Sequence, residues 1–138
     1  LEWNDKTQDL PKTQTDRFVD AAAIQFPWDL KTTTSVMMGN PGRVNIWLWR
    51  AENQTENLFA EGFGALNRLP NQNISGQGIY ANGTWQVVLS RPLAGGPDSG
   101  PGFTGVKQTP IAFAIWDGAN KERDGFKAIT IEWVLLEL

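Results

Sequence analysis

Nowhere does this chain sustain an apolar rhythm of 3.6 residues for the length of a long amphipathic helix. Strand-length apolar runs alternate instead with clusters of Gly and Pro. The strictest period of two is at the end, Lys127 to Leu138, with Ile129, Ile131, Trp133 and Leu135 on one face. Val44 to Arg50 alternates as well, placing Val44, Ile46 and Leu48 on one side and Asn45, Trp47 and Trp49 on the other, so both faces are covered. Ala21 to Phe26 is a strand stopped by Pro27, Thr84 to Ser90 follows the turn Ala81-Asn82-Gly83, and Ile111 to Trp116 has the continuous apolar character of a buried strand. Leu1 to Asp5 fits an edge strand running into a polar segment that reaches Asp16. Such a series predicts a mostly β protein, an antiparallel β-sandwich or barrel with long loops and little helix. The long loops are expected at Ala51 to Gly83, with one short helical candidate at Glu56 to Phe63, and at the Gly/Pro-rich stretch Pro92 to Pro110.

With 138 residues the chain fits one domain, residues 1–138, with one hydrophobic core. Its first residues, LEWNDKT, read as the end of a strand, so upstream sequence is expected to be missing. Lys and Arg are spread singly and the net charge is −3, which removes the basic footprint of a nucleic-acid binder. No apolar run approaches the roughly 20 residues of a membrane-spanning helix.

Chemistry is narrowed most by what the chain lacks. It has no His and no Cys, the common ligands of zinc, haem and iron–sulfur clusters, and its carboxylates show no paired pattern, so a free-standing enzyme is not expected. The only two thioethers, Met37 and Met38, fall together ahead of the turn Gly39-Asn40-Pro41-Gly42 and close in sequence to Trp47 and Trp49. They are either core filler or half of a site. Neighbours in extended chain point to opposite sides, so one of the two should reach a given ligand, with Met38 favoured because it abuts Gly39. Lys127, in the segment Glu122-Arg123-Asp124-Gly125-Phe126-Lys127-Ala128, is either a solvated lysine or an amine held among rings, able to lose its proton and bind a metal. Spacing leaves that choice open. Seven Trp residues allow a second function, a carbohydrate-binding sandwich in which Trp47, Trp49 or Trp85 stack on sugar rings and the methionines are core.

Five blocks in order, RFVDAAAIQFP, MMG, RVNIWLWRA, GTWQVVLSRPL and IAFAIWDGANKERDGFKAITIEWVLLEL, resemble the haem b-binding γ subunit of the type II dimethyl sulfoxide reductase family. That group includes ethylbenzene and dimethylsulfide dehydrogenases, selenate and chlorate reductases and nitrite-oxidising complexes. The resemblance implies a β-sandwich holding one haem b between an axial methionine and an axial lysine, here Met38 (or Met37) and Lys127. Trp47, Trp49 and Arg50 are the further cofactor-binding candidates, and Arg43, Arg91 and Arg123 join Arg50 as candidates to pair with haem propionates. It implies a non-catalytic electron-transfer subunit in the periplasm, bound to an iron–sulfur β subunit and a molybdenum α subunit and exchanging electrons with a cytochrome c or similar carrier. A sandwich of this family that had lost its cofactor would lack the Met and Lys pair.

Overall fold

The computed structural model describes residues 1–13 and 18–138. Asp16, the end of the predicted polar loop, and Arg17, the first residue of the first block, lie outside the described residues. Among those described there are ten strands and no helix: β1 (Glu2–Asn4), β2 (Ala21–Pro27), β3 (Val44–Arg50), β4 (Gln54–Ala60), β5 (Asn67–Arg68), β6 (Ser75–Ala81), β7 (Thr84–Ser90), β8 (Gln108–Trp116), β9 (Ala128–Ile129) and β10 (Val134–Glu137). All pairings are antiparallel, in a large sheet ordered β10-β8-β2-β3-β4-β5, with β9 also on β8, and a three-stranded sheet ordered β1-β7-β6. The architecture is the mostly β sandwich that the sequence predicts.

Alternation along β3 decides what each face of the large sheet does. Trp49 points toward the small sheet, with its ring centroid 5.1 Å from that of Trp85 and 6.3 Å from that of Trp3. Its indole N–H donates to Asn53 Oδ1 at 3.2 Å. Gly76 and Gly78 of β6 lie directly over this indole, leaving no room for a Cβ. At ~25 cal/mol per Å², burying a ring of roughly 200 Å² is worth up to about 5 kcal/mol, so the contact between Trp49 and β6 is a principal weld between the sheets. Trp47, on the same side, packs with Phe26, Ile74, Phe103 and Ile111. The opposite side of β3 carries Val44, Ile46 and Leu48 into a separate cluster with Ala21, Ala23, Leu58 and Ala60.

Asp20 fastens one end of the sandwich. Fully buried just before β2, its carboxylate accepts from the backbone N–H of Asp9 at 2.7 Å, the indole N–H of Trp85 at 2.9 Å and the backbone N–H of Gly118 at 3.0 Å. Burial pushes its pKa up, while those three donors and nearby Asp5 act in opposite senses, the donors lowering it and Asp5 raising it. A folded-state pKa above the unfolded value makes Asp20's stabilising contribution greatest below the ordinary carboxylate range, and it declines as pH rises through the folded value. Asp20→Ala leaves three donors without an acceptor, so thermal unfolding should show a loss of about 3 kcal/mol or more. A melting temperature equal to that of the parent would refute the fastening role.

Two expectations need correction. The segment Ala51 to Gly83 is not a long loop but contains β4, β5 and β6, and the helical candidate at Glu56 to Phe63 is mostly β4. The polar side chains of β4 do the work that apolar ones usually do. Fully buried Asn57 accepts from the side-chain amide of Asn45 at 2.7 Å and donates to the carbonyls of Asn71 at 2.9 Å and Ser99 at 3.0 Å. The final segment is also not one strand: it breaks into β9 and β10 around Thr130 to Trp133. Thr130 is tied to Phe113 through its backbone N–H at 3.0 Å and its hydroxyl at 3.1 Å, and the indole N–H of Trp133 donates to the Thr34 carbonyl at 2.7 Å.

Candidate functional site

The face of the large sheet turned away from the small sheet floors a cavity of about 840 Å³. Register explains its depth. Ala23 of β2 stands opposite Leu48 of β3 and Ala114 of β8, and the next floor positions along β2, Ala21 and Gln25, pair with Arg50 and Trp116 and with Ile46 and Ala112. Four alanines on the two central strands, Ala21, Ala23, Ala112 and Ala114, therefore make a trough between larger side chains on the flanks. The signal for it, alanine at alternate positions in both β2 and β8, is present in the sequence but was not read as a site.

Two segments border this trough. One is the turn between β2 and β3, which supplies Val36, Met37 and Met38; the other runs from Glu122 to Thr130 and supplies Lys127. The methionine turn is pinned by the Gln25 side-chain amide donating to the Val36 carbonyl at 2.8 Å and by the Gly62 N–H donating to the Met38 carbonyl at 2.7 Å. Gly39 is held so close to Gly42 and Ala60 that a Cβ there would meet the Gly42 carbonyl oxygen at 2.6 Å. Met38 takes φ of 61°, a left-handed conformation uncommon for a non-glycine residue, and packs against the Ala23, Ile46 and Leu48 cluster. The chain here is turned rather than extended, so the expectation that neighbouring side chains diverge does not hold: Met37 and Met38 both line the cavity.

Lys127 is half-buried. Its ammonium donates to the Asp124 carbonyl at 2.6 Å and lies 5.1 Å from the centre of the Trp116 ring. Desolvation lowers its pKa, against the pull of Asp124 in the other direction, which favours the neutral amine, the form that can bind a metal. Thus one apolar cavity carries two soft sulfurs and a partly desolvated nitrogen.

Of the remaining candidates Arg50 lines the cavity and pairs with Glu56. Trp47 and Trp49 do not line it, because their side chains belong to the clusters on the other face of β3. The same burial removes the sugar-stacking alternative, since Trp47, Trp49 and Trp85 are 8%, 0% and 2% exposed. Arg123 is at the cavity, whereas Arg43 binds Glu61 at 2.6 Å between the rings of Trp28 and Phe59, and Arg91 holds the Ser99 and Pro101 carbonyls beside Trp47. Elsewhere, carboxylate oxygens of Asp5, Asp9, Asp20 and Asp117 lie within 4.8 Å of one another, but those of Asp20 already serve three donors. Among the described residues no helix is long and apolar enough to cross a membrane.

A family model described as ethylbenzene dehydrogenase matches residues 65–128. The chain is 43% identical over 134 residues to the chlorate reductase subunit gamma of Ideonella dechloratans, an alignment covering 96% of this chain and 56% of that one. It is 38% identical over 147 residues to the dimethylsulfide dehydrogenase subunit gamma of Rhodovulum sulfidophilum, covering 100% and 54%. To the "Putative respiratory nitrate reductase heme subunit ORF7" of Haloferax mediterranei it is 35% identical over 136 residues, covering 96% and 48%. The chain thus spans about half the length of the curated relatives it matches. The three pairwise alignments cover 96–100% of this chain, the family model covers the Lys127 border alone, and with the ordered sequence blocks they place the chain in the γ-subunit family of the type II dimethyl sulfoxide reductase group.

Proposed function

We propose that this chain binds one b-type haem in the alanine-floored cavity, with Lys127 and one methionine of the Met37-Met38 pair as axial ligands, and relays single electrons as a non-catalytic subunit. The observation that carries the proposal is the meeting of both thioethers and the half-buried Lys127 amine in one apolar cavity. The residues present fit the group. A volume of about 840 Å³ is within the ~300–1,000 Å³ usual for cofactor sites, the floor is hydrocarbon, and Met with Lys is a donor set able to complete the coordination of a haem iron. Met38 is the better ligand, because its backbone is tied to Gly62 and its side chain already rests on the cavity floor; Met37 is the alternative.

When bound, the haem supplies one-electron oxidation and reduction at its iron. The chain's own residues do the rest. A methionine thioether holding the iron would favour the ferrous state and raise the potential, and Met together with Lys127 would leave no coordination position open for oxygen chemistry. Ala21, Ala23, Ile46 and Leu48 keep water from the buried edge. Lys127 would hold the iron as its neutral amine, having released one proton to solvent and the hydrogen bond it donates to the Asp124 carbonyl. The partners that suit this role are an iron–sulfur subunit and a molybdenum subunit of a periplasmic complex, with a cytochrome c or similar carrier on the outside; the relatives' names as gamma and heme subunits of reductases and a dehydrogenase support a place in a multi-subunit complex.

The test is a haem titration of the purified chain followed by absorbance. A low-spin spectrum with a Soret band is expected, and Lys127→Ala and Met38→Ala should each shift it toward high spin and weaken binding about tenfold or more, ~1.4 kcal/mol. Absence of a Soret band, or a low-spin spectrum unchanged in Lys127→Ala, refutes the proposal. If Met38→Ala alone is silent, Met37→Ala identifies the other thioether as the ligand.

A further inference from the structure

The cavity has two unlike parts, an alanine floor and a charged border. The border includes Arg50, Glu122, Arg123, Asp124 and Lys127. Most of these charges are engaged. The Glu122 carboxylate accepts from the Asp117 N–H at 2.9 Å, Arg50 is paired with Glu56, which also faces Arg68 at 3.7 Å, and Lys127 is the proposed ligand. Arg123 differs. Its guanidinium rests 5.4 Å from the centre of the Phe18 ring, and its carboxylate neighbour is Asp124 at 3.7 Å, whose side chain is 88% exposed. A contact of that length to a solvent-facing carboxylate is weak, so of the two guanidiniums lining the cavity, Arg50 and Arg123, Arg123 is the less committed to an anion.

Resting on the reading of the cavity as a haem site, the geometry points to Arg123 as the residue that recognises the carboxylate edge of the cofactor. A planar ligand with one hydrocarbon edge and one edge bearing two carboxylates suits this cavity in one sense. The hydrocarbon edge goes to the apolar floor around Ala23, Ala112 and Ala114, away from the Ala21 end where Arg50 stands opposite in the sheet, and the carboxylates stay at the charged border. There a guanidinium held against an aromatic ring presents a planar pair of N–H donors that matches a carboxylate in shape and charge. Arg43 and Arg91 are away from the cavity, each with partners of its own, so neither can substitute.

The test compares two probes, iron protoporphyrin IX and its dimethyl ester, which is the same macrocycle without the charges. Arg123→Gln should weaken binding of the free acid about tenfold and leave the diester unchanged, and Arg123→Lys should recover part of the loss. Arg43→Gln should alter neither. Equal losses for both probes in Arg123→Gln, or no loss for either, would overturn the assignment, and a melting curve for each variant reports whether it is folded. The ligand reading fails separately: if the parent protein gives no low-spin spectrum with either probe, axial ligation by Met and Lys127 is wrong, whereas recognition by Arg123 is read from the affinity ratio alone.

Discussion

Ala23→Phe is expected to abolish haem uptake while leaving the protein folded. Ala23 is at the centre of the floor, between Leu48 of β3 and Ala114 of β8, and it faces the cavity rather than the intersheet core. Ala23 is only 4% exposed and Met38 packs against its cluster, so a benzyl group there must displace neighbours toward the trough at an overpacking cost of about 1–3 kcal/mol, which a folded domain of this size can bear. The same ring occupies the deepest part of the trough, and a rigid macrocycle cannot flow around it. Affinity should fall by at least about a hundredfold, ~2.7 kcal/mol, with the melting temperature of the haem-free protein lowered by no more than about 10 °C and its unfolding still cooperative. Haem titration and differential scanning calorimetry on the same preparation check both halves. Parental affinity in Ala23→Phe would mean that the ligand binds elsewhere.

Gly78→Val tests the other face and should give the reverse pattern, a destabilised protein with an unaltered cavity. An added Cβ at Gly78 would stand 2.8 Å from Cη2 of Trp49 and closer still to Cζ2. The indole cannot give way, because it is fully buried, hydrogen-bonded to Asn53 and wedged against Trp85 and Trp3. The sheets must then separate, at a cost of about 3 kcal/mol or more and a fall in melting temperature of roughly 10 °C. Gly96→Ala is the matched control: no atom lies within 4 Å of a Cβ there and the backbone needs no positive φ, so its melting temperature should stay close to that of the parent. Similar losses for the two variants would show that the flush contact between Trp49 and β6 is not what holds the sheets together.

Much of this organisation was legible in the residues. β2, β3, β7 and the apolar part of β8 announce themselves by alternation or by continuous hydrophobicity, and Asn82-Gly83 at the β6–β7 hairpin takes positive φ at both positions, as that turn requires. β4 and β6 were hidden for two different reasons. In β4, inward-facing Asn57 is satisfied by a hydrogen-bond network that no local pattern reveals. In β6 the period of two is present, but the inward positions are Gly76 and Gly78, chosen for the absence of a side chain, and a hydrophobicity reading sees loop. The final segment erred in the other direction, because Ile129, Ile131, Trp133 and Leu135 keep alternating across a break imposed by Thr130 and Trp133 through contacts with distant Phe113 and Thr34.

At the cavity, the sequence named both methionines, Lys127 and Arg50, all of which line it, and also Trp47 and Trp49, which do not. Proximity along the chain misled there. Met38 reaches the sheet on the Ile46 and Leu48 side, so the nearest tryptophans in sequence are on the far side of a strand. The alanine trough went unread because a small residue signals space only once its neighbours on adjacent strands are known.

β3 is in effect a party wall, with tenants on its two sides that never meet. Its odd-numbered side chains, Trp47 and Trp49, belong to the frame of the building, and its even-numbered ones, Ile46, Leu48 and Arg50, to the room. A combinatorial library confined to the even positions and their neighbours Ala21, Ala23, Ala112 and Ala114 could therefore refit the room for macrocycles of other outline, chlorins or bulky metalloporphyrins, without touching the joints that keep the walls standing.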